Sequence, residues 1–233
     1  MVRVVLGAFC LLGAGMHGAM AADLPQYDGH VHQGVASCAS GVCHGSATER
    51  ISSSVLQNEY VTWTRLDGHA NAYATLLTEA SQRIARKLGL ANAHEAGICL
   101  DCHADNVPAE QRGADFQISD GVGCEACHGG AENWLSSHTA SGSSHQDNLG
   151  RGLYPTSGVE ARAELCLSCH LGTADKFATH RIMGAGHPRL AFELSTFSAL
   201  EPPHWAFDAD YEQRKGVVSE FDTWTLGLMV AAR

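Results

Sequence analysis

Eight of the nine cysteines in this chain occur in pairs, and a histidine directly follows the second cysteine of each pair. Three pairs have the spacing C-x-x-C-H, and the remaining pair has four residues between its cysteines. In chain order these are motif 1 (Cys38, Cys43, His44), motif 2 (Cys99, Cys102, His103), motif 3 (Cys124, Cys127, His128) and motif 4 (Cys166, Cys169, His170). Such motifs attach haem c, because two thiols bond the haem vinyl groups and the adjacent imidazole becomes the proximal iron ligand. The motifs therefore predict four covalently bound c-type haems.

Other uses of paired cysteines explain the histidines less well. A structural zinc site needs only four ligands, and most iron–sulfur clusters are held by cysteine alone, so neither requires a histidine after every pair. A thioredoxin-like motif is single and lies near a βαβ pattern, which this sequence lacks. A local disulfide stays open as an alternative for motif 1, because its spacer is longer than the other three.

The ninth cysteine, Cys10, lies in an N-terminal segment with the layout of a secretory signal peptide. An early Arg3 precedes an apolar stretch, and small residues end it around Ala19 to Ala22. We expect cleavage after Ala21 or Ala22, with an uncleaved membrane anchor as the alternative. The prediction is a signal peptide over 1–22 and a single four-haem domain over 23–233. That domain would be periplasmic and would not span the membrane.

Composition favours a fold organised around cofactors. Aromatic residues make up only 7% of the chain, and glycine occurs 25 times, so the polypeptide alone offers little apolar bulk for a core. Four haems would supply that bulk. We expect a mainly α fold with extensive loops and little or no β-sheet. Apolar periodicity and helix-end signals predict helices over Asn71–Leu88, Val159–Leu171, Arg189–Leu200 and Val217–Ala232.

The chain is acidic, with a formal charge of −10, and loss of Arg3 with the signal peptide would make it more negative. This balance argues against nucleic acid as a partner. It suits docking to redox proteins, basic or membrane-bound, since complementary fields speed encounter. Plain solubility explains the charge equally well.

Histidine is abundant enough to supply a second axial ligand to every iron. The chain has 14 histidines, and nine remain after the four motif histidines and His17 of the signal peptide are set aside. Methionine is the main alternative ligand, but only Met183 and Met229 survive cleavage. We therefore expect mostly bis-histidine coordination and mostly low reduction potentials.

Motif 2, the run Asp120 to Gly130 around motif 3, and His138 together resemble the tetrahaem cytochrome c-554 family. That family is related to multihaem cytochromes typified by hydroxylamine oxidoreductase. The resemblance covers roughly residues 38 to 170, and the longer spacer of motif 1 departs from it. It implies that His138 is the distal ligand to another haem and that His69, in Asp67-Gly-His69 at a helix start, is a second one.

Two further distal ligands are predicted from the residues themselves. His187 and then His180 are favoured, because glycines around His187 would let the backbone approach a flat macrocycle closely. Both could instead lie in a solvated surface turn. His94 and His204 are reserves. We expect solvated loop positions for the other three histidines, which are His30, His32 and His145.

The leading functional hypothesis is an exported electron carrier with closely spaced haems and no catalytic residues. A small haem enzyme is the rival, because in the resembling family the second haem lacks a distal protein ligand. If the haem at His103 were five-coordinate, it could reduce nitric oxide, nitrite or hydroxylamine. A third hypothesis is an electron-transfer subunit of a larger redox complex.

Overall fold

Short helices joined by long loops form the part of the chain that the computed structural model describes, which is residues 23–52 and 55–205. Nine α-helices occur within these residues: α1 (Glu59–Leu66), α2 (Ala72–Leu76), α3 (Glu79–Leu88), α4 (Gly97–His103), α5 (Cys124–His128), α6 (His145–Leu149), α7 (Val159–His170), α8 (His180–Ala185) and α9 (Leu194–Leu200). Short 3-10 turns precede α1, at Pro25–Tyr27 and Val35–Ser37, or lie between the helices, at Gly68–Asn71, Ala93–Glu95, Ala109–Gln111 and Ile118–Asp120.

The mainly α prediction is confirmed. The described residues contain no β-strand, and one isolated bridge between His32 and Arg112 is the extent of their sheet-like pairing. The predicted signal peptide (1–22) and the predicted helix Val217–Ala232 both lie outside the described residues. The single domain over 23–233 stays a prediction.

The helix predicted over Asn71–Leu88 is two helices, α2 and α3. Thr78 adopts an extended backbone and its side chain accepts a hydrogen bond from the backbone N–H of Ser81, so it caps a new helix instead of continuing the old one. The prediction did not consider Thr78 as a cap inside this stretch. The predicted end was right, because Gly89 closes α3 in the left-handed conformation at φ 76°.

The other predicted helices agree with the structure to different degrees. The predicted helix Arg189–Leu200 begins only at Leu194, because the Glu193 carboxylate accepts from the backbone N–H groups of Ser195 and Thr196. Helix α1 was not predicted, since no clear apolar periodicity marks it in the sequence. The helix predicted over Val159–Leu171 is confirmed as α7.

A small apolar cluster holds the middle of the chain together. It consists of Leu76, Ala85, Ala93, Leu100 and Ala104, each at most 7% exposed. These residues pack α2 and α3 against α4, which carries motif 2. The cluster contains no large aromatic side chain, so the protein part of the core is modest.

Candidate haem-binding site

Three of the four motifs lie on helices that aim their reactive groups to one side. Motif 2 ends α4, motif 3 forms α5, and motif 4 ends α7. In an α-helix, positions i, i+3 and i+4 share a face. The two cysteines and the histidine of each C-x-x-C-H motif therefore point to the same side of their helix.

Motif 1 reaches a similar arrangement by a turn. The 3-10 turn Val35–Ser37 precedes Cys38, and the His44 backbone N–H donates to the Cys38 carbonyl at 3.2 Å. The two extra residues of the spacer are thereby folded away between the cysteines. A Cβ at Gly45 would collide with the Ala39 carbonyl oxygen, so this turn requires glycine there.

All four motifs face one cavity of about 2110 Å³. All eight motif cysteines and all four motif histidines line it. Sites for single drug-sized ligands measure roughly 300–1000 Å³. The space is thus large enough for several prosthetic groups held side by side.

Each motif histidine faces one other histidine across this cavity. The ring centroids of the four pairs are 6.1 to 6.3 Å apart: His44 with His138, His69 with His170, His103 with His187, and His128 with His204. Metal–imidazole bonds are about 2 Å long, and two such bonds plus the distance from each ring centre to its nitrogen account for this gap. The pairs therefore have the separation that a metal between two imidazoles requires.

Carboxylates orient two of these eight imidazoles. His44 Nδ1 donates to the Glu59 carboxylate at 2.9 Å, and His69 Nδ1 donates to the Asp67 carboxylate at 2.8 Å. Each of these hydrogen bonds raises the pKa of its histidine, against the lowering effect of burial. A carboxylate on Nδ1 also fixes the tautomer that leaves Nε2 free to bind iron.

Backbone carbonyls orient three more of these imidazoles. His103 Nδ1 donates to the Ala72 carbonyl at 3.1 Å, His187 Nδ1 to the Pro188 carbonyl at 2.7 Å, and His138 Nδ1 to the Leu135 carbonyl. A carbonyl only accepts, so Nδ1 carries the hydrogen in each ring. Burial lowers the pKa of His103, which favours the neutral imidazole that metal binding needs.

Among the predicted distal ligands, His69, His138 and His187 lie opposite motif histidines, whereas His180 does not. His180 is exposed at the start of α8, and the fourth position, opposite His128, is taken by His204. His180 was favoured, after His187, because it lies in the same run as the glycines around His187. No local signal in the sequence distinguishes His204, which was only a reserve among the predicted ligands.

The other histidines do not face a motif. His94 lies near Gln82, with its Nδ1 3.3 Å from the amide nitrogen, and His145 lines the cavity with no ring beside it in the described residues. His32 was expected to be solvated, and that expectation is wrong, because the side chain is 0% exposed and bonds to the Asp105 carboxylate at 2.8 Å. His30 is half-buried beside Asn133.

Polar groups on the cavity wall also fit haem. The Gln26 amide nitrogen and the Trp134 indole N–H are buried, line the cavity, and have no hydrogen-bond partner in the described protein. Haem brings two propionate carboxylates, which accept hydrogen bonds from such donors. Across 23–52 and 55–205 the motif cysteines are free thiols, so the disulfide alternative for motif 1 finds no support there.

A comparison with protein families decides the class of protein. Residues 37–129, which contain motifs 1, 2 and 3, match the family described as cytochrome c554 and c-prime. The match covers about two fifths of the chain, and over that segment the chain is similar to the cytochrome c554 family. The chain is accordingly a c-type cytochrome with covalently bound haem c and a role in electron transfer between redox partners. Motif 4, His138, His187 and His204 lie beyond the matched segment.

No match was found among curated proteins or among solved structures. None of the helices in the described part of the chain is long and apolar enough to cross a membrane. The suggested kinship with hydroxylamine oxidoreductase stays a prediction.

Proposed function

We propose that this c554-family protein is an exported four-haem cytochrome that passes electrons between redox partners, with every iron held between two histidines. The observation that carries the proposal is the set of four histidine pairs at 6.1 to 6.3 Å. Each pair joins one motif histidine to one histidine from elsewhere in the chain. When bound, haem supplies a one-electron redox centre whose potential depends on its axial ligands and surroundings.

The residues of the pairs would make each haem site six-coordinate. Nδ1 of five of these rings is held by a carboxylate or a carbonyl, so Nε2 is presented to the cavity without reorientation. Preset ligands on both sides leave no open position for a substrate. This favours electron transfer over bond chemistry.

Contacts between motifs support close spacing of the attached groups. Cys38 of motif 1 and Cys124 of motif 3 lie close enough for each thiol to shift the pKa of the other, and we name this place the 1–3 junction. Cys102 of motif 2 and Cys169 of motif 4 likewise shift each other's pKa, and the Cys169 sulfur lies 3.9 Å from the carbonyl oxygen of Asp101, next to Cys102; we name this place the 2–4 junction. Groups attached through neighbouring sulfurs would be close in space, as electron transfer along a chain of centres requires.

His187 bears directly on the enzyme alternative. That alternative requires an open haem at motif 2, yet the His187 ring lies 6.3 Å from the His103 ring. A small nitrogen oxide would have to displace this imidazole before it could reach the metal. The geometry therefore favours the carrier.

The acidic surface suits a partner with a basic docking face. The formal charge is −10, and only three lysines occur in the whole chain. Attraction of this kind speeds encounter and weakens as salt rises. We therefore expect electron exchange with a basic redox protein to slow as ionic strength increases.

Intact mass and optical spectroscopy of the protein, matured in a host that attaches haem c, test the proposal. The expected mass is that of the chain without its signal peptide plus four haems. The expected ferric spectrum is low-spin throughout, and the reduced protein should not bind nitric oxide. A smaller haem count would overturn the four-haem assignment. A high-spin ferric fraction with nitric oxide binding would overturn the carrier and favour the enzyme.

A further inference from the structure

Buried charges of opposite sign lie at the two cysteine junctions. Lys176 is at the 2–4 junction, and Glu125 is at the 1–3 junction. Neither residue takes part in attachment or in axial ligation. Both are almost completely buried, at 8% and 2% exposure, and a buried charge acts on its surroundings far more strongly than a solvated one.

The chain holds Lys176 firmly against the 2–4 junction. Its Nζ lies 3.4 Å from the Cys169 sulfur. The backbones of Lys176 and Thr173 form two hydrogen bonds with each other. Gly172 precedes this turn at φ 101°, and any other residue there would place its Cβ against the Lys176 carbonyl oxygen. The pKa of the Cys169 thiol falls to about 5, first through the neighbouring Cys102 thiol and then through the Lys176 charge.

Haem attachment leaves this ammonium without an anionic partner at the sulfur. A thioether carries no charge, so Cys169 can no longer act as a thiolate beside Lys176. Asp101 is the opposing charge near Cys102. That carboxylate is only partly buried and already accepts from the Asn106 amide at 2.6 Å, so solvent screens it more than it screens Lys176. The 2–4 junction keeps a positive bias.

Glu125 is fixed just as firmly at the 1–3 junction. Its carboxylate accepts backbone N–H bonds from Gln33, Gly34 and Ala131, each at 2.7 Å. Burial raises the pKa of Glu125, while these three donors favour its ionised form. Its charge is one of the causes that raise the pKa of the Cys124 thiol, after the neighbouring Cys38 thiol and burial.

The other charged groups around Glu125 keep this junction negative. His32 lies close enough for its pKa to respond to Glu125, but it is bonded to the Asp105 carboxylate at 2.8 Å. A protonated His32 would thus be neutralised by Asp105 and would leave the Glu125 charge uncompensated. Asp28 adds a further negative charge on the same side.

We propose that Lys176 and Glu125 divide the cytochrome into two electrostatic halves, so that the haems attached at motifs 2 and 4 have higher reduction potentials than those at motifs 1 and 3. This rests on the proposed attachment of haem at all four motifs. A nearby positive charge favours the reduced centre, and a nearby negative charge favours the oxidised one. This difference in reduction potential would direct electrons that enter at the 1–3 junction toward the 2–4 junction.

Redox titration of Lys176→Met in the holoprotein is the first test. The two higher of the four midpoint potentials should fall, each by at least a tenfold change in the oxidised-to-reduced ratio, which is about 59 mV for one electron. The two lower potentials should stay in place. Lys176→Arg keeps the charge and should restore the wild-type values. Lys87→Met removes an exposed lysine on α3 and should change none of them.

Glu125→Gln gives the opposite signature. The two lower potentials should rise while the two higher ones stay, and the exposed Glu110→Gln should have no effect. If Glu125→Gln fails to fold, the lysine variants still decide the matter. Equal shifts of all four potentials in Lys176→Met, or shifts no larger than in Lys87→Met, would overturn the proposal. The haem count of each variant, measured separately by intact mass, distinguishes that failure from a failure of four-haem attachment.

Discussion

The carboxylate of Glu59 should lower the potential of the haem at motif 1. Its oxygen accepts the His44 Nδ1 hydrogen at 2.9 Å, and the two side chains are 16% and 32% exposed. An anionic acceptor gives the imidazole more electron density, which stabilises the oxidised metal more than the reduced one. Glu59→Gln replaces this anionic acceptor with a neutral amide of nearly the same shape.

The size of the change follows from the strength of the bond. A hydrogen bond to a charged group is worth about 1.5–3 kcal/mol and a neutral one about 0.5–1.5 kcal/mol. The difference is on the order of 1–1.5 kcal/mol, or nearly a tenfold change in equilibrium, which corresponds to about 59 mV for one electron. Because both side chains retain some contact with water, we expect one of the four potentials to rise by about 30–60 mV.

Spectroelectrochemical titration of wild-type and Glu59→Gln holoproteins measures this shift. Burial alone would raise the pKa of Glu59, but hydrogen bonds from His44 and from backbone amides outweigh it and hold the pKa below its usual range. Glu59 is therefore ionised in neutral solution, and the shift should be the same at pH 6 and pH 8. Glu79→Gln, at a side chain 71% exposed on α3, is the matched control. Four potentials equal to those of the wild type would refute the reasoning.

Three further outcomes are expected. His204→Met should raise one midpoint potential, because methionine ligation raises the reduction potential of a haem. His180→Met, at an exposed residue, should leave all four potentials unchanged. The opposite pattern would show that His180, and not His204, is the ligand. Leu76→Ala removes a side chain that is 4% exposed and should lower stability by about 2–5 kcal/mol in thermal unfolding, while Leu77→Ala, 54% exposed, should cost much less; equal losses would contradict the packing. A chain with all motif cysteines changed to alanine should lose most of its helical circular dichroism, because a cavity of about 2110 Å³ would stand unfilled; native helicity without haem would contradict this.

The sequence alone predicted the attachment chemistry and the general class of fold. The motif residues are adjacent in the chain, so their helical face follows from local geometry, as α5 illustrates. Sparse aromatics likewise pointed to a fold without a large protein core. The fold class is confirmed, whereas the haem count and the ligand set stay predictions for spectroscopy.

Long-range pairing could not be predicted in the same way. His204 meets His128 across 76 positions of chain, and no local pattern encodes such a contact. The same holds for His32, whose burial depends on Asp105 far along the sequence. Lys176 offers the third case, because nothing in its neighbouring residues marks the only lysine that is buried in the described part of the chain.

A crystal structure of the mature holoprotein, with iron positions from anomalous scattering, tests the central claim most directly. We predict four irons, each between the two imidazoles of one pair: His44 and His138, His69 and His170, His103 and His187, His128 and His204. An iron at His103 with His187 turned away, or fewer than four irons, would contradict it.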